Sequence, residues 1–144
     1  MTINQDGESP AFHREIVELH QFFEDWFTGR LPKTDNAYAR FTQVIAEGFT
    51  IIGPDGKSNN RAVLLDNLFA AHEQRPNTSI WIKNAQLRQQ WADNLVVTYE
   101  EWQAGGDSQT ARLSSVVFRR KEGTPNGLEW LHVHETWLPG HGVG

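Results

Sequence analysis

Two histidines, His132 and His134, lie two residues apart in a segment of alternating apolar residues near the C-terminal end of the chain. Because side chains alternate along a strand, both imidazoles are expected on one face of a sheet. Such a pair could donate hydrogen bonds in a pocket, act as a general base, bind a metal or form a hydrogen-bonded structural pair. A metal would need a third ligand, and Glu135 is expected on the opposite face, so no metal site is predicted.

Glu100 and Glu101 are adjacent in an earlier strand-like segment and therefore point in opposite directions, which excludes a catalytic dyad formed by these two carboxylates. If one of them enters a cavity, burial raises its pKa and makes it a usable base. The alternative is an exposed carboxylate near the end of a strand. Arg112, in the next segment, could pair with such a glutamate or hold an anionic ligand, or it could lie on the surface.

The chain contains six tryptophans, more than a minimal core requires. Buried Trp N–H groups and Tyr hydroxyls need hydrogen-bond partners, so aromatic residues spread over several elements could line a pocket for a small hydrophobic molecule. The alternative is that they belong to the core or to a dimer interface. Together with the two histidines and Arg112, the predicted ligand-binding residues are Trp26, Tyr38, Trp81, Tyr99 and Trp130.

The composition restricts the chemistry further. With 13 Lys and Arg against 18 Asp and Glu, the formal charge is −5, and without a basic run the chain is not expected to bind nucleic acid. The lack of cysteine removes disulfides, thiolate nucleophiles and Cys-based metal sites. No glycine-rich phosphate loop or serine nucleophile elbow is recognisable, and no cofactor is predicted. A polar N-terminus and the lack of a long apolar run predict a soluble, cytoplasmic protein that does not contact a membrane.

Three helices are predicted in the first half of the chain. The first has Ser9 as its N-cap and Pro10 as its first helical residue, followed by apolar residues at three- and four-residue steps. Asp35 is expected to cap a second helix, which carries Val44 and Ile45 and ends near Gly48. A short strand at 49–52 and a turn at 53–56 follow, and a third helix spans about 60–74.

After Pro76 the apolar period becomes alternating, which predicts four long strands at about 79–91, 94–103, 109–121 and 129–138. Turn residues connect them, so they are expected to be neighbours in one antiparallel sheet. On the last strand, Trp130 is assigned to one face and Val133 to the other. One face would cover the helices, and the apolar area of the other predicts a symmetric homodimer. Residues 10–139 are thus expected to form one α+β domain between flexible tails at 1–9 and 140–144.

The order of these elements resembles that of the nuclear transport factor 2-like superfamily over nearly the whole chain. The run from Phe49 to Gly56 is similar to the family's strand and turn before the third helix, and Leu95 to Tyr99 is similar to a long central strand. Trp130, Val133 and His134 resemble the Trp-x-x-Val-His ending of the calcium/calmodulin-dependent kinase association domain, and SnoaL-like bacterial proteins share the general pattern. The resemblance implies a cone in which three N-terminal helices pack on a strongly curved, mostly antiparallel sheet. It also implies a pocket between them and usually a dimer.

Ketosteroid isomerase-type members of this superfamily place a catalytic Asp immediately before the Pro of the turn after the first strand. Here Gly53 precedes Pro54, so a proton-accepting side chain is missing at that position, and Asp55 lies beyond the Pro. The first functional hypothesis is therefore a homodimer that binds a small molecule. The second is a SnoaL-like or ketosteroid isomerase-like isomerase, cyclase or dehydratase that uses His, Tyr or Glu acid–base chemistry on a hydrophobic carbonyl compound. A pure assembly module is a third.

Overall fold

The computed structural model describes residues 9–143, and the tail predicted at residues 1–9 lies outside this range except for Ser9. Three helices and six strands follow one another along the chain. In order, they are α1 (Ala11–Thr28), α2 (Asp35–Thr42), β1 (Ile45–Ile52), β2 (Ser58–Asn60), α3 (Arg61–Ala70), β3 (Ser79–Trp91), β4 (Asn94–Gly105), β5 (Ser108–Arg120) and β6 (Leu128–Trp137). Between residues 9 and 143, no helix has both the length and the apolar character that a membrane span requires.

Helix α1 carries the apolar face that packs on the sheet. Its buried residues recur at helical spacing and are Phe12, Glu15, Ile16, Leu19, His20, Phe22, Trp26 and Phe27. The start of the helix differs from the prediction, because Pro10 occupies the N-cap position in an extended conformation and no side chain caps the helix. At the other end, Gly29 adopts a left-handed conformation (φ 82°), which lets its N–H donate to carbonyl oxygens of the last turn.

Helix α2 is shorter than predicted, and strand β1 is longer. The side chain of Thr34, not that of Asp35, caps the helix by accepting a hydrogen bond from a backbone N–H. The helix ends at Thr42, so Val44 lies between the two elements and Ile45 opens β1. Both are β-branched and buried, and such residues lose side-chain freedom in a helix but pack well in a sheet.

Helix α3 ends at Ala70, several residues before the predicted end. Glu73 has a positive φ of 62°, which a continuing helix cannot contain. The chain then returns to the end of α1, where the N–H of Arg75 donates to the carbonyl oxygen of Phe27 at 3.0 Å. This backbone contact holds Arg75 close to the inner side of the sheet.

The six strands form one sheet in the order β2-β1-β6-β5-β4-β3. The four C-terminal strands are sequential neighbours and pair antiparallel, which confirms the predicted meander. Strand β1 joins them in parallel with β6, and the short β2 pairs antiparallel with β1. Register shifts in β3, next to the positive φ of Asn84, bend the sheet. The α+β cone predicted from the sequence is therefore confirmed.

A β-bulge in β6 changes which side chains face the helices. In the pairing with β5, the register passes from His132 directly to Trp130, so Leu131 is an additional residue without its own partner. Trp130 and Val133 consequently both face inward, and their assignment to opposite faces is wrong. The physical reason is that one inserted residue shifts the two-residue alternation by one position.

The segment after β6 folds back on β5. The N–H of Leu138 donates to the carbonyl oxygen of Ala111 at 2.9 Å, and the N–H of Ala111 donates to that of His141 at 3.0 Å. The His141 ring packs edge-on against Trp102, with 4.9 Å between ring centres. The beginning of the segment predicted as a flexible tail at 140–144 is therefore hydrogen-bonded to the sheet.

Candidate ligand site between the helices and the sheet

A cavity of about 270 Å³ lies between the helices and the inner face of the sheet. This is close to the lower end of the range for small-molecule pockets, about 300–1,000 Å³. One wall is apolar and comes from the helices and β1; it includes Leu19, Phe23, Phe27, Ile51, Leu64 and Leu68. The other wall is polar and comes from α1 and the sheet; it includes His20, Tyr99, Glu101, Gln103, Arg112 and Glu135.

The register of the sheet accounts for the polar wall. Tyr99 and Glu101 are two residues apart on β4 and therefore share the inner face. Arg112 on β5 lies directly opposite Glu101, and Glu135 on β6 lies opposite Ser114. Because side chains of directly opposed residues are neighbours, pairing of the three strands brings these charged groups together under the helices.

His20 and Glu101 form a buried pair that shares a proton. His20 Nδ1 lies 2.7 Å from the carbonyl oxygen of Ile16, which can only accept, so Nδ1 carries a hydrogen. Nε2 lies 3.0 Å from Oε1 of Glu101, and this contact needs a second hydrogen. Burial lowers the pKa of His20, but the Glu101 carboxylate outweighs it and the net shift is upward. Burial raises the pKa of Glu101, but His20 brings it down to about 2, so the pair is an imidazolium and a carboxylate.

Glu135 is a second buried carboxyl group at the cavity. Its Oε1 accepts a hydrogen bond from Arg112 Nη1 at 3.2 Å, and its Oε2 accepts one from the Ser114 hydroxyl at 3.4 Å. Burial and the negative charge of Glu101 raise the pKa of Glu135, although Arg112 opposes them. Burial and the same two carboxylates also raise the pKa of Tyr99. The polar wall thus combines a carboxyl group that is easily protonated with a neutral phenol.

Arg112 has a buried donor without a partner. Its Nη1 is hydrogen-bonded to Glu135, and its guanidinium carbon lies 4.8 Å from the centre of the Trp137 ring. Its Nε is buried and has no hydrogen-bond partner among residues 9–143. Most buried polar groups in folded proteins are hydrogen-bonded, so an unsatisfied one calls for a specific explanation.

Arg75 lies beside Arg112 at the boundary of the cavity. Its Nη2 donates to Oε1 of Gln103 at 2.8 Å, and its guanidinium lies over the ring of Phe27. Burial lowers the pKa of Arg75; the Glu101 carboxylate opposes this shift, and the positive charge of Arg112 adds to it. Arg75, Gln103 and Arg112 also line an outer cavity of about 440 Å³. They therefore separate the inner cavity from an outer vestibule.

Three of the eight residues predicted to bind a ligand line the inner cavity: Tyr99, Arg112 and Trp130. The structure places Trp26 and Tyr38 elsewhere, in the core between the helices. Trp26 Nε1 and the Tyr38 hydroxyl donate to backbone carbonyl oxygens of α3 at 2.7 and 2.6 Å. Because these polar groups are satisfied by the backbone, the two side chains join helices and contribute no donor to the cavity.

His132 and His134 lie on the outer face of the sheet. Glu135 faces the cavity, and alternation along β6 therefore turns both imidazoles away from it. His132 Nδ1 is 2.8 Å from the hydroxyl oxygen of Thr50 on the neighbouring β1. As expected, the two histidines and Glu135 lie on opposite faces of the sheet, but Glu135 is the residue that faces the cavity.

Trp81 also lies on the outer face. It is directly opposite Trp102 in the register, and the two rings stack with 6.2 Å between their centres. Lys83 places its ammonium group 4.3 Å from the centre of the Trp102 ring. This aromatic pair is thus separated from the cavity by the sheet.

His20 is a cavity residue that the sequence did not predict, as are Arg75 and Gln103. It follows Ile16 by four positions on the buried face of α1, within a stripe of otherwise mostly apolar residues. Only Glu15 and His20 are polar on this stripe, and a polar residue among buried apolar ones is a signal that could have identified it. The partner could not be found in this way, because Glu101 is distant in sequence and only the packing of α1 on β4 brings it to His20.

The turn after β1 brings no carboxylate to the cavity. The N–H of Gly53 donates to the carbonyl oxygen of Lys57 at 3.0 Å, and the exposed Asp55 side chain accepts from the N–H of Lys57 at 2.9 Å. Asp55 therefore stabilises the turn. Across residues 9–143, no three or more His, Asp or Glu side chains are grouped so that they could hold a metal ion.

Solved structures similar to this chain confirm the nuclear transport factor 2-like (NTF2-like) fold. An NTF2-like protein of unknown function from Pseudomonas aeruginosa is 27% identical, with a TM-score of 0.80 over 89% of this chain and 98% of that chain. The calcium/calmodulin-dependent kinase II hub of S. rosetta is 16% identical, with a TM-score of 0.68 over 89% and 95%. The association domain of the C. elegans kinase is 18% identical, with a TM-score of 0.61 over 88% and 95%. The narrower grouping with SnoaL-like proteins stays a prediction.

Curated relatives carry the name sucrose-phosphatase. Sucrose-phosphatase 2 of Nicotiana tabacum is 28% identical over 134 residues, which are 91% of this chain but 31% of that protein. Probable sucrose-phosphatase 2 of Arabidopsis thaliana is 25% identical over 125 residues, 85% of this chain and 29% of that protein. The chain thus spans less than a third of the length of these two relatives. The family model described as sucrose-6-phosphate phosphohydrolase C-terminal matches residues 12–139, and the chain therefore belongs to that family.

Proposed function

We propose that this protein binds a small molecule in the cavity between the helices and the sheet and that it acts as a homodimer without catalysing a reaction. The observation that carries the proposal is the set of buried charged groups facing the cavity, together with the unpartnered Nε of Arg112. Buried ionisable groups in a cleft are typical of functional sites. A cavity left only by imperfect packing would be expected to have apolar walls.

The two walls suit a ligand with a polar and an apolar part. His20, Glu101, Arg112 and Glu135 offer charges and hydrogen bonds on one side, and aromatic and aliphatic side chains cover the other. Small-molecule pockets commonly combine a mostly apolar lining with a few placed polar groups. The arrangement therefore supports binding of an amphipathic molecule better than binding of a purely hydrophobic one.

The names of the relatives supply the first compounds to test. Sucrose and sucrose 6-phosphate are the obvious probes, because the matched segment occurs in proteins called sucrose-phosphatases. Hydrolysis of the phosphate is not part of the proposal, since the chain covers only 31% of the tobacco protein.

A ligand panel with two neighbouring variants on α3 tests the binding function. Leu64 lines the cavity, whereas Val63 is 41% exposed. We expect at least one compound of a broad metabolite panel to raise the melting temperature of the wild type. Leu64→Trp should fill the cavity and abolish that shift, and Val63→Trp should preserve it. A wild type without any ligand-induced shift, or shifts that persist in Leu64→Trp, would contradict the proposal.

The outer face of the sheet supports the homodimer. Leu113 on β5 is 37% exposed on this face, and Trp81, Trp102 and Val117 lie on the same face and are partly exposed. Large apolar side chains exposed on one face of a sheet are consistent with an interface on that face. Leu113→Glu should convert a dimer into a monomer in light scattering, whereas Val63→Glu on α3 should leave the mass unchanged. A monomeric wild type would disprove this part of the proposal.

Glu135 favours one catalytic alternative, a SnoaL-like or ketosteroid isomerase-like enzyme. Its raised pKa and its position beside the neutral Tyr99 are suited to proton transfer at a carbonyl compound. Such an enzyme should exchange the α-hydrogens of a bound ketone with deuterium from the solvent, measured by NMR. Exchange that is present in the wild type and lost in Glu135→Gln would establish this alternative, and the lack of exchange with any bound ketone would exclude it.

A further inference from the structure

The guanidinium of Arg112 does not use all of its hydrogen-bond donors within the protein. Nη1 is hydrogen-bonded to Glu135, whereas Nε is buried with no acceptor among residues 9–143. Nε and Nη2 lie on the same edge of a guanidinium, and their parallel N–H groups match the two oxygens of a carboxylate. Nε is thus an unused donor on the edge of the guanidinium that is best suited to bind a planar anion in two places.

The surroundings of this edge carry excess positive charge. Arg75 lies at the same boundary and is close enough for the charge of Arg112 to affect its pKa. Three cations, His20, Arg75 and Arg112, border the cavity against two carboxyl groups, Glu101 and Glu135. Glu101 is already paired with His20. The net charge of these five groups is +1 even when both carboxyl groups are ionised, although the whole chain has a formal charge of −5.

The opposite wall restricts the rest of the ligand. Phe23, Phe27, Leu64 and Leu68 border the cavity and contain no side-chain hydrogen-bonding group. A heavily hydroxylated ligand would leave its hydroxyl groups unpaired against this wall, which is unfavourable. A purely apolar ligand would leave the Nε of Arg112 unpaired. The volume of about 270 Å³ favours a short chain.

We propose that the cavity binds a small monoanionic carboxylate with a short apolar chain, held through the Nε and Nη2 edge of Arg112 beside Arg75. The apolar chain then lies against Phe23, Phe27, Leu64 and Leu68. This inference rests on the proposed function, because it names the ligand class of the same cavity. A phosphate monoester shares the oxyanion chemistry, but its charge near −2 exceeds the local balance as long as Glu135 is ionised.

Calorimetric titration with three six-carbon probes tests the charge and geometry of the ligand. Hexanoate should bind to the wild type, hexyl phosphate should bind more weakly, and 1-hexanol should bind weakest. Arg112→Gln should lower the affinity for hexanoate by about ten-fold or more and leave the affinity for 1-hexanol nearly unchanged. Arg112→Lys keeps the charge without the paired N–H groups and should give an intermediate loss. It also serves as a second variant if Arg112→Gln does not fold.

Arg119→Gln is the matched control. Arg119 lies on the same strand as Arg112, is paired with Glu129 and does not line the cavity, so hexanoate affinity should not change. Hexanol that binds as tightly as hexanoate, with both lost in Leu64→Trp, would overturn the inference but retain a ligand-binding cavity. Tighter binding of hexyl phosphate than of hexanoate would overturn the inference that the ligand is a monoanion. If no probe binds the wild type, the inference is disproved, and the metabolite panel decides separately on the proposed function.

Discussion

Two buried polar clusters in contact with α1 differ in how completely they are satisfied. The closed cluster consists of Glu15, Arg40, Asn126 and Trp130. The carboxylate of Glu15 is fully buried and accepts hydrogen bonds from Arg40 Nη2 at 2.9 Å, Asn126 Nδ2 at 3.0 Å and Trp130 Nε1 at 2.9 Å. Each of these donors ends on a protein acceptor, and the cluster ties α1 to α2 and β6.

The cavity cluster consists of His20, Glu101, Arg112 and Glu135. It begins five residues further along α1 and has equally good geometry at the His20–Glu101 contact. It differs because Arg112 Nε has no acceptor in the described chain and because its members border a cavity. Buried charge alone therefore does not identify a site in this protein. The closed cluster stabilises the architecture, whereas the cavity cluster has capacity left for a ligand.

Removal of the carboxylate from the closed cluster should have the largest effect on stability. Glu15→Ala leaves the Trp130 N–H without an acceptor and leaves Arg40 with only the more exposed Glu18, 3.5 Å away, so we expect it to lower the free energy of unfolding by about 3–5 kcal/mol. Urea unfolding measures the change. Glu18→Ala removes a half-exposed carboxylate that also contacts Arg40 and Asn126, and it should cost at most about 1 kcal/mol. Equal effects of the two substitutions would remove the distinction between the closed cluster and the surface.

The cavity cluster should make stability depend on pH. The raised pKa of His20 contributes stability that is complete below the unfolded value of 6.5 and is lost as pH rises through the folded value. The raised pKa of Glu135 acts in the same direction above its unfolded value of 4.5. Glu101, with a pKa of about 2, loses its contribution only in acid, below its unfolded value of 4.5. Stability should therefore fall as the pH rises above about 6.5, where Glu101 no longer titrates.

Urea unfolding at several pH values measures this dependence. The double variant His20→Leu with Glu101→Leu removes the pair and should reduce the slope, whereas Glu15→Leu should not. A wild-type stability that is constant or rises over this range would show that the imidazolium assigned to His20 is absent.

Ser114→Ala should have a smaller effect. It removes the hydroxyl that donates to Glu135 at 3.4 Å, while the Arg112 contact remains. We expect a loss of about 1 kcal/mol in thermal unfolding, because one weak neutral donor to a carboxylate is lost. Ser115→Ala, on the outer face of the same strand, is the control and should change little. A loss of several kcal/mol would mean that Ser114 supports the cluster more than its geometry indicates.

Substitution of the two outer-face histidines should have the smallest effect on stability. His132→Ala and His134→Ala together should change the free energy of unfolding by at most about 0.5 kcal/mol, because both side chains lie away from the core. Ligand-induced thermal shifts should remain as in the wild type. Loss of those shifts would return the histidines to the candidate site and count against the cavity cluster.

Much of the fold could be predicted from local patterns. The limits of β3 agree with the prediction, and the other three long strands differ by one or two residues, because alternating apolar residues and turn residues act over short distances. The start of β1 was harder to predict. Val44 and Ile45 continue the helical spacing of α2, and only the parallel pairing with β6 makes a strand of this segment.

The candidate site could be predicted only in part. Tyr99 and Arg112 follow from strand alternation once one face is assigned to the helices. The inward position of Trp130 depends on the bulge at Leu131, which exists only in the pairing with β5. Nothing in the order of residues around Leu131 indicates that insertion, so the relation between Trp130 and Val133 was predicted wrongly.

The sequence by itself determined the helices, the antiparallel meander and the aromatic and charged residues available to it, because periodicity and turn chemistry operate between near neighbours. The tertiary structure decided which of those residues meet. His20 and Glu101 are far apart along the chain, and their shared proton depends on how one helix packs on one strand. The position of Arg112, with its unpartnered Nε, depends on the register of three strands, and register is a property of paired backbones.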